Sequence, residues 1–187
     1  MIDAKLVQGF NDAATRVGAK VRPVGDVSAA ADYIYAHAGG RVLLAPSPSL
    51  ERLGLAGELR ERGIEIATDQ LRTQAPDAAA GITSANFAIA DTGTIVLEST
   101  NEAVRLATTL PERHFALLDP RKIVADGLAA VPSLRRLQQQ TPRSFLAYIS
   151  GPSRTADIER VLTIGVHGPC ELHILLMEGV SDDPLEN

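Results

Sequence analysis

Cysteine is almost absent from this chain, with Cys170 alone among 187 residues. One thiol makes no internal disulfide, and it supplies neither the thiolates of an iron–sulfur cluster nor those of a cysteine-rich zinc site. Any redox metal is therefore expected on a partner, and no metal site is expected here. Basic blocks are also missing. The net charge is −5, from 23 acids against 18 bases, aromatic residues make up 4%, and no aromatic-interleaved basic stripe is present. A protein built to neutralise a run of phosphates needs such a stripe, so nucleic acid is not an expected partner. No apolar run approaches the ~20 residues of a membrane span. Residues 1–10 lack the basic start and apolar core of a signal peptide, which makes the cytoplasm the expected compartment. Neither a Walker loop nor a G-x-G-x-x-G motif occurs, so nothing argues for ATP or a dinucleotide.

What is present is ordinary globular composition, 45% hydrophobic and 22% charged. At this length one well-filled core is expected, hence a single domain over 1–187. Helical and strand patterns alternate: a helix through 2–17, a strand at 21–24, a helix at 28–38, a strand at 41–45, a helix opening at Ser47-Pro48-Ser49, and a strand at 64–67. Such alternation implies an α/β fold, with parallel strands joined by crossover helices. Residues 68–80 read as a connection. Strands at 87–90 and 95–97 flank Asp91-Thr92-Gly93-Thr94 as a hairpin. A short helix (103–108), a strand (115–118), a helix (125–138) and a strand (145–149) follow. The segment Ser150 to Thr155 is expected to lead into an amphipathic helix with Ile158, Val161 and Leu162 on one face. A last strand spans 172–177, and the tail from Gly179 is expected to be loose.

The candidate functional residues lie between Ile82 and Pro169. Ser150-Gly151-Pro152-Ser153-Arg154-Thr155 stands after a strand and before the expected helix, where unpaired amides and the helix dipole favour an anion. Two readings stay open: an anion loop with Arg154 as its clamp, or a helix cap by Ser153 or Thr155 with Asp157 already complementing the dipole. The turn Gly165-Val166-His167-Gly168-Pro169 carries one titratable group, and a lone loop histidine is more often a surface residue than a catalyst. His37, His114 and His173 are assigned to structure. Asp91-Thr92-Gly93-Thr94 also has the local pattern of an aspartic protease, but it occurs once, in a chain that mostly alternates helix and strand. A tight turn is the simpler reading. Arg105 and Arg113 have the chemistry to hold a carboxylate, although solvated surface arginines are commoner.

Taken together, Ile89 to Thr94, the run Ile149 to Glu159, and Gly165 to Pro169 resemble the lactate-utilisation protein C family (LutC/YkgG, the LUD domain) in order and spacing. The likeness is specific over about 82–177. It implies a Rossmann-like parallel sheet flanked by helices, similar to the phosphosugar isomerase/CoA-transferase (NagB/RpiA/CoA transferase-like) fold. It also implies an accessory role in oxidising L-lactate to pyruvate, beside partner subunits that carry the iron–sulfur clusters. Whether this chain is itself an enzyme is left open, with Asp91 and His167 as catalytic candidates. Thr92, Gly93, Thr94, Ser150, Gly151, Ser153, Arg154, Thr155 and Gly168 are the candidate ligands of a small carboxylate or phosphate. The alternative is a free-standing enzyme or a sensor acting on such a metabolite. The Ser150 loop, His167 and the Asp91 turn are expected to converge at the carboxyl ends of the parallel strands, where open α/β sheets take their ligands.

Overall fold

Six strands form a wholly parallel sheet in a computed structural model that describes residues 2–140, 143–156 and 160–187. In chain order the strands are β1 (Lys20–Pro23), β2 (Val42–Leu44), β3 (Ile66–Ala67), β4 (Ala80–Ser84), β5 (Phe87–Ile89), β6 (Thr94–Glu98), β7 (Arg113–Leu118), β8 (Ile123–Val124), β9 (Leu146–Ile149), β10 (Arg154–Thr155), β11 (Thr163–Ile164) and β12 (Glu171–Leu176). The helices are α1 (Ala4–Arg16), α2 (Val27–Ala38), α3 (Pro48–Leu53), α4 (Leu55–Glu61), α5 (Leu71–Gln74), α6 (Glu102–Thr109) and α7 (Gly127–Gln140). The parallel sheet has the order β1-β12-β7-β4-β2-β3, and a second sheet has the order β8-β5-β6-β9. This is the α/β class that the alternating pattern implies.

Side-chain alternation sorts the core into layers. Phe115, Leu117 and Leu175 point to one face, where they meet Ile34, Leu50, Leu55 and Leu59 from α2, α3 and α4. Ala116, Leu118 and Ile174 point to the other, where they meet Phe10 of α1, Ala107 of α6 and the inward residues Ala88, Ile95 and Leu97 of the second sheet. That sheet's outer residues, Phe87, Ile89 and Val96, are covered by Ala130 and Leu137 of α7. Burial on both faces is why these strands read as continuous apolar runs.

Three expectations are corrected. Among the described residues no helix follows the Ser150 loop: Arg154–Thr155 and Thr163–Ile164 pair as an antiparallel ribbon, and Val161 and Leu162 are exposed. Asp157 and Ile158 lie outside the described residues. Residues 68–80 are more than a connection, since they hold α5 and a 3-10 turn and end on β4, which lies between β2 and β7. The tail from Gly179 is held in place: Val180 is wholly buried, Arg52 pairs with Glu186, and Lys122 Nζ donates to the Glu186 carbonyl at 2.9 Å.

β4 was hard to read because Gly81, Thr83 and Ser84 interrupt its apolar pattern, and Gly81 has a packing reason. A Cβ placed there would sit 1.8 Å from the Ala107 carbonyl oxygen of α6. Gly81→Ala is expected to force α6 off the sheet and cost about 2–4 kcal/mol. Gly57, in α4 with open space around its Cβ position, is the control. There alanine is expected to be neutral or to stabilise by up to about 1 kcal/mol. Urea unfolding of the two variants checks both values.

Candidate functional site

Register places the first hydroxyls of the site. Ile95 of β6 pairs with Ile149 of β9, so Thr94 and Ser150 stand one step further along the same ladder, on facing strands. Their hydroxyl oxygens are 2.7 Å apart, and Thr94 Oγ1 is also 2.7 Å from Thr92 Oγ1. The Asp91 turn and the Ser150 loop are thus joined by a three-hydroxyl chain. Both dock on α1. Gly93 (φ 64) and Gly151 (φ 76) take left-handed conformations, and a Cβ would come within 2.2 Å of the Ala14 nitrogen at Gly93 and 2.1 Å of the Val17 carbonyl oxygen at Gly151. Only glycine satisfies both the φ and the close approach.

The turn carrying His167 folds back onto this loop through two backbone hydrogen bonds. Ser153 N donates to the Pro169 carbonyl at 2.9 Å, and Gly165 N donates to the Ser153 carbonyl at 2.9 Å. A Cβ on Gly168 would lie 3.1 Å from Ser153 Cβ, so that contact is tight as well. A cleft of ≈ 390 Å³ results, lined by Ser150, Gly151, Ser153, Arg154, His167 and Gly168 together with Thr108, Thr109 and His114. Asp91 and Thr92 are exposed in their turn, and neither they nor Thr94 line the cleft. Thr155 belongs to the ribbon.

The cleft lies elsewhere than expected. β9 belongs to the second sheet and runs antiparallel to β6. The cleft residues His114 and Leu172 are the second residues of β7 and β12, paired in register, so it opens at the amino ends of the parallel strands. Among the described residues no helix starts after Ser150, so none turns its N-terminus to the cleft. Thr108 and Thr109 are instead the last residues of α6, whose carbonyl end carries partial negative charge. Arg154, exposed at the rim, donates through Nη2 to the Val17 carbonyl at the C-terminus of α1, a favourable place for a cation. Arg105 likewise caps the Ser99 and Thr100 carbonyls, and Arg113 donates to the Ala38 carbonyl at 3.4 Å.

His114 is the cleft residue that the sequence assigned only to structure. It is 1% exposed, its Nε2 is 2.8 Å from Thr83 Oγ1, and its Nδ1 has no partner. Burial, with a smaller contribution from His173, pushes its pKa down to about 3. The ring is therefore neutral at physiological pH, with one nitrogen fixed by Thr83. On the opposite face of the sheet, His173 bridges Tyr33 Oη (3.0 Å from Nδ1) and Glu171 (2.8 Å from Nε2), and burial lowers its pKa too. No cluster of His, Cys, Asp or Glu suited to a metal ion occurs among the described residues.

An unfolded imidazole takes up a proton as pH falls through about 6.5, whereas folded His114 resists until about 3. Its contribution to stability is thus present above pH 6.5 and lost between 6.5 and about 3, at ~1.4 kcal/mol per pKa unit. Glu171 and Glu186, both held at about 2 by ion pairing and hydrogen bonds, lose theirs only below about 4.5. His114→Gln is expected to flatten the fall of stability between pH 6.5 and 5 by roughly 2 kcal/mol. Urea unfolding across that window measures it, and an unchanged slope would show that His114 is not buried neutral.

Comparison with known proteins places this geometry in a family context. A family model described as the LUD domain matches residues 7–177. The chain is 31% identical over 138 residues to Lactate utilization protein C of Halalkalibacterium halodurans, covering 70% of this chain and 60% of that protein. It is 30% identical over 151 residues to Lactate utilization protein C of Bacillus subtilis, covering 74% and 63%. The chain thus spans about three fifths of the length of the curated relatives it matches. A crystal structure of a DUF162 family protein from Deinococcus radiodurans superposes with a TM-score of 0.64 at 21% identity, covering 93% of this chain and 97% of that one, and so shares the fold.

Proposed function

The chain belongs to the LUD domain family, and on that premise we propose that it serves lactate utilisation as a non-redox accessory subunit of an L-lactate-oxidising complex. The observation that carries this reading is the family match over 7–177, together with relatives named Lactate utilization protein C. The single, exposed Cys170 supports the same division of labour, since one thiol is not a cluster ligand set. The iron–sulfur clusters then belong to partner subunits, which pass on the two electrons released when lactate becomes pyruvate. None of the described helices is long and apolar enough to cross a membrane, which is compatible with work in the cytoplasm.

Within this reading the Ser150 cleft takes a small carboxylate or phosphate. Ser150 and Ser153 offer hydroxyl donors, and Arg154 is the cation at the rim. The carbonyl end of α6 opposes such a ligand, so the guanidinium has to outweigh it. A second reading, a free-standing enzyme or sensor, draws on the same cleft, whose neutral His114 and exposed His167 are groups that general acid–base chemistry uses.

Deleting the gene is expected to abolish growth on L-lactate as sole carbon source, with recovery on complementation by the wild-type gene. Normal growth of the deletion strain, with no second lactate oxidase active, rules the reading out. Calorimetric titration of lactate, pyruvate and phosphate addresses the cleft. A ligand held by Arg154 is expected to bind about tenfold or more weakly in Arg154→Ala. Equal affinity in wild type and variant reduces the loop to a support for α1.

A further inference from the structure

In open parallel sheets ligands bind outside the carboxyl ends of the strands. Here that edge holds six buried polar side chains. Ser47 and Ser49 follow β2, Ser84 and Asn86 end and follow β4, and Asp119 and Lys122 follow β7, all at 3% exposure or less. Residues 180–187 lie across them, and the hydrogen bonds run mostly one way, from donors on the body to acceptors on the tail. Arg52 forks onto the Glu186 carboxylate at 2.6 and 3.0 Å. Lys122 Nζ reaches the Glu186 carbonyl at 2.9 Å, Asn86 Nδ2 the Pro184 carbonyl at 3.1 Å, and Ser47 Oγ the Asn187 carbonyl at 2.5 Å.

Holding the tail does not account for two features. Ser84 Oγ, buried at the end of β4, has no hydrogen-bond partner. Beside Ser47 a largely apolar cavity of ≈ 160 Å³ opens among Leu44, Pro46, Leu50 and Ala56, with Glu51 and Thr68 also in its wall. A site with a forked guanidinium, an ammonium and neutral donors at one side and an apolar hollow at the other fits a molecule with a carboxylate head and a short apolar body.

We propose that the carboxyl edge of the parallel sheet is a binding site for a small carboxylate with an apolar body, and that residues 180–187 occupy it as an internal stand-in which such a ligand displaces. The site is separate from the Ser150 cleft, at the opposite edge of the sheet. Lys122 is suited to the role, because burial lowers its pKa to about 8 and an arriving carboxylate offsets that cost. The tail is a lid whose own Glu186 carboxylate sets the affinity a ligand must exceed.

Butyrate, butanol and inorganic phosphate, added to the full chain, separate the chemical requirements. Butyrate is expected to bind saturably and to speed hydrogen exchange at the amides of Gly179 and Glu186, which are now bonded to Asp119 and Asp183. Butanol and phosphate are expected to leave the exchange of those amides unchanged. Glu186→Gln weakens the stand-in and is expected to raise butyrate affinity about tenfold, while Arg52→Gln lowers it by about tenfold or more. The proposal falls if butyrate binds neither wild type nor Glu186→Gln, if it binds with tail exchange unaltered, or if phosphate speeds that exchange as effectively. The wild-type exchange measurement decides the matter even where a variant fails to fold.

Discussion

The Asp119 carboxylate is fully buried at the carboxyl end of β7, and a buried ion has to be paired. Arg121 supplies the pair, with Nε at 2.9 Å and Nη2 at 2.7 Å, and two backbone amides complete it: Arg121 N at 3.0 Å and Gly179 N at 2.8 Å. Burial alone would raise this carboxyl's pKa, but the guanidinium and the amides hold it below the usual range. Gly179 is where the chain leaves β12, so satisfying Asp119 fixes the direction in which residues 180–187 set out. Arg121 then reaches Asp182 at 3.3 Å, and Arg52 and Lys122 meet the tail further on. The closed carboxyl edge thus depends on one charge that cannot be left unpaired.

β7 joins this edge to the opposite one. Its apolar residues are buried on both faces, and polar demand is left at its two ends, Asp119 after the carboxyl end and His114 near the amino end. The two ends meet that demand differently. Asp119 is charged and fully bonded, whereas His114 is neutral and bonded through one nitrogen only. The amino-end cleft is accordingly lined by hydroxyls and imidazoles around a helix carbonyl end, with Arg154 at its rim, and the carboxyl edge by ion pairs and amide donors.

Much of the fold was legible because apolar runs between turn signals are unambiguous when a strand is buried on both faces. β7 and β12 are of this kind, and so is the β5–β6 hairpin around Asp91 to Gly93. β4 escaped because its packing against α6 requires Gly81, and its hydroxyls serve His114 and the carboxyl edge instead of the core. The segment after Ser150 was misread for a different reason. The helical spacing of Ile158, Val161 and Leu162 predicts a buried face, yet Val161 and Leu162 stand in solvent beside a two-stranded ribbon. The tail looked loose because Ser181, Asp182 and Asp183 are polar, and no local pattern shows that Arg52, Arg121 and Arg136, 47 or more residues earlier, would meet Glu186, Asp182 and Asp183.

The same contrast explains how much of the site was legible. Local motifs brought out the Ser150 loop, the His167 turn and the Thr94 turn, and the structure gathers these around α1 through Gly93, Gly151 and the bond from Arg154 to Val17. What the motifs could not carry was orientation. A loop after a strand was taken to face the carboxyl edge of the parallel sheet, but β9 lies in the other sheet, and so its loop opens beside the amino ends of β7 and β12. The carboxyl-edge donors, by contrast, follow three strands distant in sequence and belong to no contiguous motif. Ser47 looks like a helix cap, which it is, its Oγ accepting from Leu50 N. Its second role, holding the Asn187 carbonyl from 140 residues away, exists only once the parallel order of β2, β4 and β7 has brought their ends together. Sheet order, more than any motif, determines which polar groups this chain is able to present to a ligand.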